Sequence, residues 1–488
     1  MISVKPEDVG IASEKIIKYI KVLENHRLST HNLILAKGDN IFFEHYWEPF
    51  NTNYLHRMYS ISKSFVSIAF GFLEQDNLIS LDDTIIKYFK EDFKNQTDEN
   101  MRNQTIRDML MMCTAKQDRN WFAAKPNDRV QYYFDNDNIF SRHPGLIFQY
   151  DSSGSFVLGA LVERITKMPF MDYLRLKLFD KIGVSKEAYC LKCPGGHSWG
   201  DSGVLCTPFD LLKVARFVMN RGTWNGEQIL NAEYLSKATS KQIDNNLLGH
   251  NDYDTQGYGY QFWMTYDGSY FFNGMGCQLA VCVPDKDLIM IYNGDNQGND
   301  MAKKIIIDNF FELIANPTKV ETDNNAYNNL KNYIQGLKLS SAYGNSRSEF
   351  SDKISGVTYI LDKNPMGINR IKLTFCGETG VFEYTNEQGD KAIPLGMCKN
   401  EYGLFPQEGY SINVGTVFEP NNYYKCAASA AWVEPQKLFI KVQIIDKYFG
   451  NLNITLGFKE DYVSICMKKF AEDFLNEYSG FATGRKMY

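Results

Sequence analysis

The sequence predicts an α+β protein in two parts, on three observations. Apolar runs of strand length lie near the start, over residues 32–36 and 41–47, and return between Tyr258 and Tyr292. The stretch between them carries mostly helical periodicity, and strands at both ends of a helical insert imply an antiparallel sheet assembled from distant segments and packed against helices. Beyond Asp352 the period changes to two, in Ile371/Leu373/Phe375, Leu438/Ile440/Val442/Ile444 and Leu452/Ile454/Leu456/Phe458, which marks a second, mainly β domain.

In chain order, Lys37-Gly-Asp-Asn40 supplies turn chemistry between the first two runs, so the chain opens with a hairpin. Ile61, Phe65, Ile68, Ala69 and Phe72 recur at helical spacing and predict a largely buried helix with Ser60 at its start. Thr105-Ile-Arg-Asp108 and Thr207-Pro-Phe-Asp210 read as helix starts, the second with an N-cap Thr, Pro at the first helical position and an acid at the third. Leu279–Val283 and Leu288–Tyr292 flank a Pro284-Asp-Lys-Asp287 turn, and a helix over 301–314 closes this part. Residues 316–350 are rich in Asn, Ser and Lys, apart from an amphipathic stretch with Tyr327, Leu330, Ile334 and Leu337. The expected division is therefore a domain over 1–316, a linker with one docking helix over 317–351, and a β-rich domain over 352–488.

Fifty-two Lys and Arg against 58 Asp and Glu leave a net charge of −6 over 488 residues. No field of that sign gathers nucleic acid or an anionic membrane. The first residues carry no basic patch followed by an apolar stretch, and no later apolar run reaches membrane-spanning length, so a cytoplasmic protein is expected. Ten scattered cysteines suit reduced thiols better than a disulfide framework. Cys190-Leu-Lys-Cys193 lacks a second Cys or His pair at ligand spacing, so buried free thiols are expected there and no metal.

Ser60-Ile-Ser-Lys63 is the only Ser-x-x-Lys in the chain. Residues three apart on a helix share a face, which lets an amine take the serine proton. A serine at a helix start also meets free backbone N–H groups, and a lysine on an apolar helix face must be paired or functional.

With its surroundings, this segment resembles the serine β-lactamase and penicillin-binding-protein superfamily, in its class C-like esterase, peptidase and amidase branch. The resemblance covers residues 1 to about 315. It rests on the hairpin, Met58-Tyr-Ser-Ile-Ser-Lys-Ser-Phe65, Leu81-Asp-Asp83, Thr105-Ile-Arg-Asp-Met-Leu110, Pro144-Gly145 before Phe148-Gln-Tyr150, Trp199-Gly-Asp-Ser-Gly-Val-Leu205 followed by Thr207-Pro-Phe-Asp210, and Thr223-Trp-Asn-Gly226. It implies a β-lactamase/transpeptidase-like domain ahead of the β-rich one.

The resemblance makes Ser60 the nucleophile, Lys63 its proton acceptor and Tyr150, which opens Tyr150-Asp-Ser152, the relay to the leaving group. Phe272-Asn-Gly-Met-Gly-Cys-Gln278 matches the third motif of amide-hydrolysing members. There Gly274 would let the strand pass close to substrate, the Met275 N–H would join that of Ser60 in an oxyanion hole, and Gln278 would support it; Ser152, Asn273, Gly274 and Gln278 form the expected substrate-binding set.

Two departures bear on recognition. Phe272-Asn273-Gly274 stands where penicillin-recognising members carry Lys-Thr-Gly, which removes the cation that attracts a substrate carboxylate. Ser152 stands where many relatives have Asn, with less reach toward a substrate amide. With Phe272 beside the substrate, neutral esters and amides are expected to be preferred, unless Arg119 or Arg142 brings a cation from a loop. His143 and His197 border the motif segments without the order of a Ser/His/Asp triad and are taken as structural; Trp199 and Trp263 are taken as core more than pocket wall. The expectation is a serine hydrolase acting through an acyl-enzyme on a small ester, amide or peptide, with no cofactor, the alternatives being a β-lactamase or D-aminoacyl peptidase and a non-catalytic ligand-binding relative.

Overall fold

The computed structural model describes residues 1–488 apart from 94–97, 117–119, 136–139, 247–252, 316–323 and 416–417. The chain divides into two compact units, Met1–Lys338 with Asn413–Gly415, and Leu339–Ile412 with Thr416–Tyr488.

The first unit is built on a seven-stranded sheet ordered Ile2–Ser3, Asn40–Tyr46, Thr30–Lys37, Leu288–Gly294, Gln278–Val283, Tyr270–Gly274 and Trp263–Met264. The opening hairpin joins the later strands through Thr30–Lys37, which runs antiparallel to Leu288–Gly294. Successive side chains on these strands feed opposite cores. Ile34, Ala36, Ala280, Cys282, Ile289 and Ile291 enter one, while Leu33, Leu35, Leu279, Val281, Met290 and Tyr292 enter the other. Burial on both faces is why these strands read as continuous apolar runs.

The helices Ser13–Asn25 and Ala302–Ala315 supply the second of those cores. The first receives Ile61–Gln75 and Pro208–Met219. Every residue from Ile61 to Leu73 is buried, so this helix carries apolar residues on all sides, because protein surrounds it. Both expected helix starts are reciprocal capping boxes: the Thr105 and Thr207 hydroxyls accept from the Asp108 and Asp210 N–H groups, whose carboxylates accept in return from the threonine N–H groups. A small sheet of His56–Arg57, Val204–Cys206 and Tyr189–Cys190 leads the chain into Ser60.

The second unit is one ten-stranded sheet, within which Gly389–Met397 also pairs in parallel with Glu419–Glu434. That pairing curls the sheet into a barrel, with alternate residues such as Leu438, Ile440, Val442, Leu452, Ile454 and Leu456 buried. The fold class is thus α+β, a unit of sheet packed against helices and a mainly β unit.

The helix Asn324–Ile334, expected within a linker, buries Ala326 and Leu330 inside the first unit. The β unit begins at Leu339, ahead of Asp352: the Ala342 N–H donates to Ser429 Oγ at 2.9 Å, and Asn345 bridges to Trp432. The expected boundary at 316–317 lies outside the described residues. Among the described residues, no helix is long and apolar enough to cross a membrane.

Candidate active site

Ser60 immediately precedes the first helical residue of Ile61–Gln75. Tyr59 before it holds a left-handed backbone, φ 47°, and is buried beneath the Arg57 guanidinium, which lies 4.5 Å from its ring centroid. A tyrosine in that region is strained and needs such surroundings to hold it. Arg57 in turn donates to the Ser202 carbonyl at 3.0 Å, and the Met58 N–H donates to the Val204 carbonyl at 2.8 Å. The Gly-rich segment 199–205 is thereby tied to the serine turn.

Lys63, 1% exposed, donates from Nζ to Ser60 Oγ at 3.0 Å and to the Asp201 carbonyl at 2.7 Å. Both acceptors are uncharged, and among the described residues Lys63 makes no ion pair. Tyr150 brings its ring centroid to 5.1 Å from Lys63 Nζ, so the three residues that the sequence singles out are brought together.

Tyr150 precedes the helix Ser152–Thr166, capped by buried Asp151, whose carboxylate accepts from the Ser153 N–H at 2.9 Å. Burial raises the Asp151 pKa, and the bonds from Ser153 oppose the rise. Ser152 is half-buried at the first helical position.

The third motif forms the hairpin between Tyr270–Gly274 and Gln278–Val283. A Cβ on Gly274 would collide with the Met58 carbonyl oxygen, so only glycine lets this strand run so close to the serine turn. Met275, at the tip, is 37% exposed, and Asn273 is half-buried. Gln278 lies fully buried beneath the tip, and so supports the turn rather than facing a substrate. Its amide donates to the Met275 carbonyl at 3.1 Å and the Gly294 carbonyl at 2.5 Å, and accepts from Asn293 at 2.9 Å.

Phe272 corrects an expectation. It is fully buried and packs edge-on against Phe262 at 4.9 Å, in the core and not beside a substrate. The missing cation at this position therefore leaves a core ring and not an aromatic wall. Trp199 is core as expected, while Trp263 stacks on Tyr150 with centroids 5.5 Å apart. His197 pairs with Glu163 at 3.0 Å, His143 is exposed, and Arg142 donates to the Thr114 carbonyl at 2.9 Å; Arg119 lies outside the described residues. Cys190 and Cys193 are buried free thiols, and burial raises the pKa of both. Among the described residues no group of three or more His, Cys, Asp or Glu is placed to hold a metal ion.

Sequence reasoning did not single out Asp201 or Asn293 for the site, and it weighed Trp263 as a pocket wall but favoured the core. The Asp201 carbonyl belongs to the backbone, which sequence pattern does not reveal. Asn293 had a signal, as a polar residue closing the apolar strand Leu288–Tyr292.

The geometry has counterparts. A family model described as Beta-lactamase matches residues 18–306. The 6-aminohexanoate-dimer hydrolase of Paenarthrobacter ureafaciens is 22% identical over 215 residues, which span 41% of this chain and 55% of that protein. The chain thus matches about half the length of this curated relative. The octameric penicillin-binding protein homologue from Pyrococcus abyssi superposes with a TM-score of 0.52 at 15% identity, covering 97% of this chain and 99% of that one. D-amino acid amidase from Ochrobactrum anthropi gives a TM-score of 0.50 at 15% identity, over 62% of this chain and 99% of that one. At these identities the structural likenesses speak for the fold.

Proposed function

The chain belongs to the beta-lactamase family, and on that premise we propose that it is a serine hydrolase that opens a small ester or amide through an acyl-enzyme on Ser60. The observation that carries this reading is the 3.0 Å bond between Lys63 Nζ and Ser60 Oγ, made by a lysine that is 1% exposed. Lys63 in its neutral form accepts the hydroxyl proton as Ser60 Oγ attacks the substrate carbonyl carbon. The carbonyl π electrons move to its oxygen, which the Ser60 and Met275 N–H groups stabilise. Tyr150 gives its phenol proton to the leaving oxygen or nitrogen as that bond breaks; the phenolate then draws a proton from the water that attacks the acyl carbon, and Lys63 returns its proton to Ser60 Oγ as the acyl–oxygen bond breaks.

The relatives include proteins named as a 6-aminohexanoate-dimer hydrolase and a D-amino acid amidase, and we extend amide cleavage to this chain. Neutral substrates fit best, because the third motif carries Phe272 in place of the lysine of penicillin-recognising members and so offers no cation to a substrate carboxylate.

Labelling with a fluorophosphonate, read by intact mass, tests the nucleophile alongside turnover of a chromogenic ester, an anilide and nitrocefin. Label and turnover lost together in Ser60→Ala support the reading. Labelling without turnover makes the protein a binder, and efficient nitrocefin hydrolysis overturns the preference for neutral substrates.

A further inference from the structure

Tyr150 can relay a proton only while its hydroxyl stays aimed, and a half-buried ring after a Pro-Gly turn is not held by its own backbone. Lys63 Nζ lies 5.1 Å from the ring centroid but sets its orientation weakly, whereas ring stacking is directional. Trp263 provides that contact: its ring lies 5.5 Å from Tyr150, with 29° between the planes.

Trp263 is itself fixed on several sides. Tyr258 meets it edge-on at 5.0 Å and Phe148 at 5.9 Å, and its backbone bridges to Tyr258. It also lies in the edge strand Trp263–Met264, where it pairs directly with Phe271 on the strand that leads to Gly274 and the Met275 turn. One side chain thus touches the relay tyrosine while its own backbone is in register with the strand leading to the oxyanion donor.

We propose that Trp263 is a positioning residue that fixes the Tyr150 phenol relative to Lys63 and to the Met275 turn. The proposal rests on Tyr150 acting as the relay. An aligned phenol matters most where the leaving group needs its proton, so Trp263 selects for amides over activated esters without touching either.

The test measures an anilide and an activated ester on full-length Trp263→Leu, Trp263→Phe, Tyr150→Phe and the Tyr150→Phe/Trp263→Leu double variant. The expected result is about a tenfold or greater loss of anilide kcat/KM in Trp263→Leu, carried by kcat, with the ester changed about threefold or less. Trp263→Phe, which keeps a ring to stack, should restore most of it and guards against simple misfolding. In the Tyr150→Phe background the Trp263→Leu change should add nothing, because the residue acts through the phenol. A Trp263→Leu effect that persists in that background, or that falls equally on ester and anilide, overturns the inference. Failure of the relay reading looks different: Tyr150→Phe would then leave the anilide-to-ester ratio of the parent unchanged.

Discussion

Gly274 and the Met58 carbonyl lie closer than any Cβ would allow, so the strand of the third motif rests directly on the backbone two residues before Ser60. Gly274→Ala must push the strand or the serine turn aside, because the obstacle is backbone and not a flexible side chain. The expected outcome is a stability loss of about 1–3 kcal/mol by the magnitude of overpacking and a larger fractional loss of ester turnover. Gly336, where an added Cβ meets nothing within 4 Å, is the control, and Gly336→Ala should leave both unchanged. Melting temperature and turnover, measured together, check this.

Gln278 ties the Met275 turn to the strand Leu288–Gly294 with three hydrogen bonds, one to the Met275 carbonyl and two to Asn293 and Gly294, from a position with no solvent contact. Gln278→Ala strands the Asn293 amide and two carbonyls, at about 1–3 kcal/mol for each buried group left unsatisfied. Turnover should fall through kcat more than through KM, since the loosened donor is needed chiefly in the transition state. An equal rise in KM alone would show that the turn binds substrate instead.

Ser62 and Ser60 separate chemistry from folding. Ser62 points away from the site and its Oγ accepts from the buried Val204 N–H at 2.9 Å. Ser62→Ala should cost roughly 1–3 kcal/mol of stability and leave turnover near normal below the melting range. Ser60→Ala should do the reverse. Denaturant titration beside initial rates distinguishes them.

Acid should destabilise the first unit through two histidines. Burial lowers His56 to a pKa of about 3 and His45 to about 4. Both are neutral when folded above those values, whereas in the unfolded chain they protonate near pH 6.5. The unfolded state therefore binds more protons once the pH drops below about 6.5, and stability falls by up to roughly 1.4 kcal/mol per pH unit for buried His56 and by less for the partly exposed His45. The loss from His45 levels off near pH 4, and that from His56 near pH 3. His45→Gln and His56→Gln should flatten the slope of unfolding free energy between pH 6 and 4.

The Ser-Lys pair, the tyrosine and the glycine strand were legible because each is a local pattern whose chemistry needs a fixed spacing, and Ile61–Gln75 because its apolar residues recur at 3.6. The sheet was legible as apolar runs, but its two-faced burial hides which side each residue takes. That is why Phe272 was expected at the substrate and stands in the core, and why Gln278 lies under its turn. Trp263 was equally opaque: its two-residue strand carries no period, and its contact with Tyr150 spans more than a hundred residues. In the β unit alternation announces the strands, yet nothing local announces that Gly389–Met397 meets Glu419–Glu434 and closes the sheet.

The start of the β unit can be tested with fragments. Residues ahead of Asp352 belong to its packing: Leu339 and Ala342 are buried, and the Leu339 carbonyl accepts from Asn400 at 2.8 Å. A fragment over 339–488 should melt cooperatively and at a higher temperature than one over 352–488. Identical melting curves would return the boundary to residue 352.

The first unit's sheet has a consequence for how the protein is born. Thr30–Lys37 pairs early with Asn40–Tyr46 but finds its second antiparallel neighbour only in Leu288–Gly294, and the turn proposed to hold the oxyanion waits for Gln278. Gln278 is made more than two hundred residues after Ser60, on the order of ten to forty seconds later at about 5–20 residues per second. During that interval the serine helix has only the opening hairpin of its sheet. The nascent chain therefore carries Ser60 and Lys63 long before the proposed site is complete, and the apolar residues of the helix are meanwhile exposed in the manner that makes folding intermediates prone to aggregate.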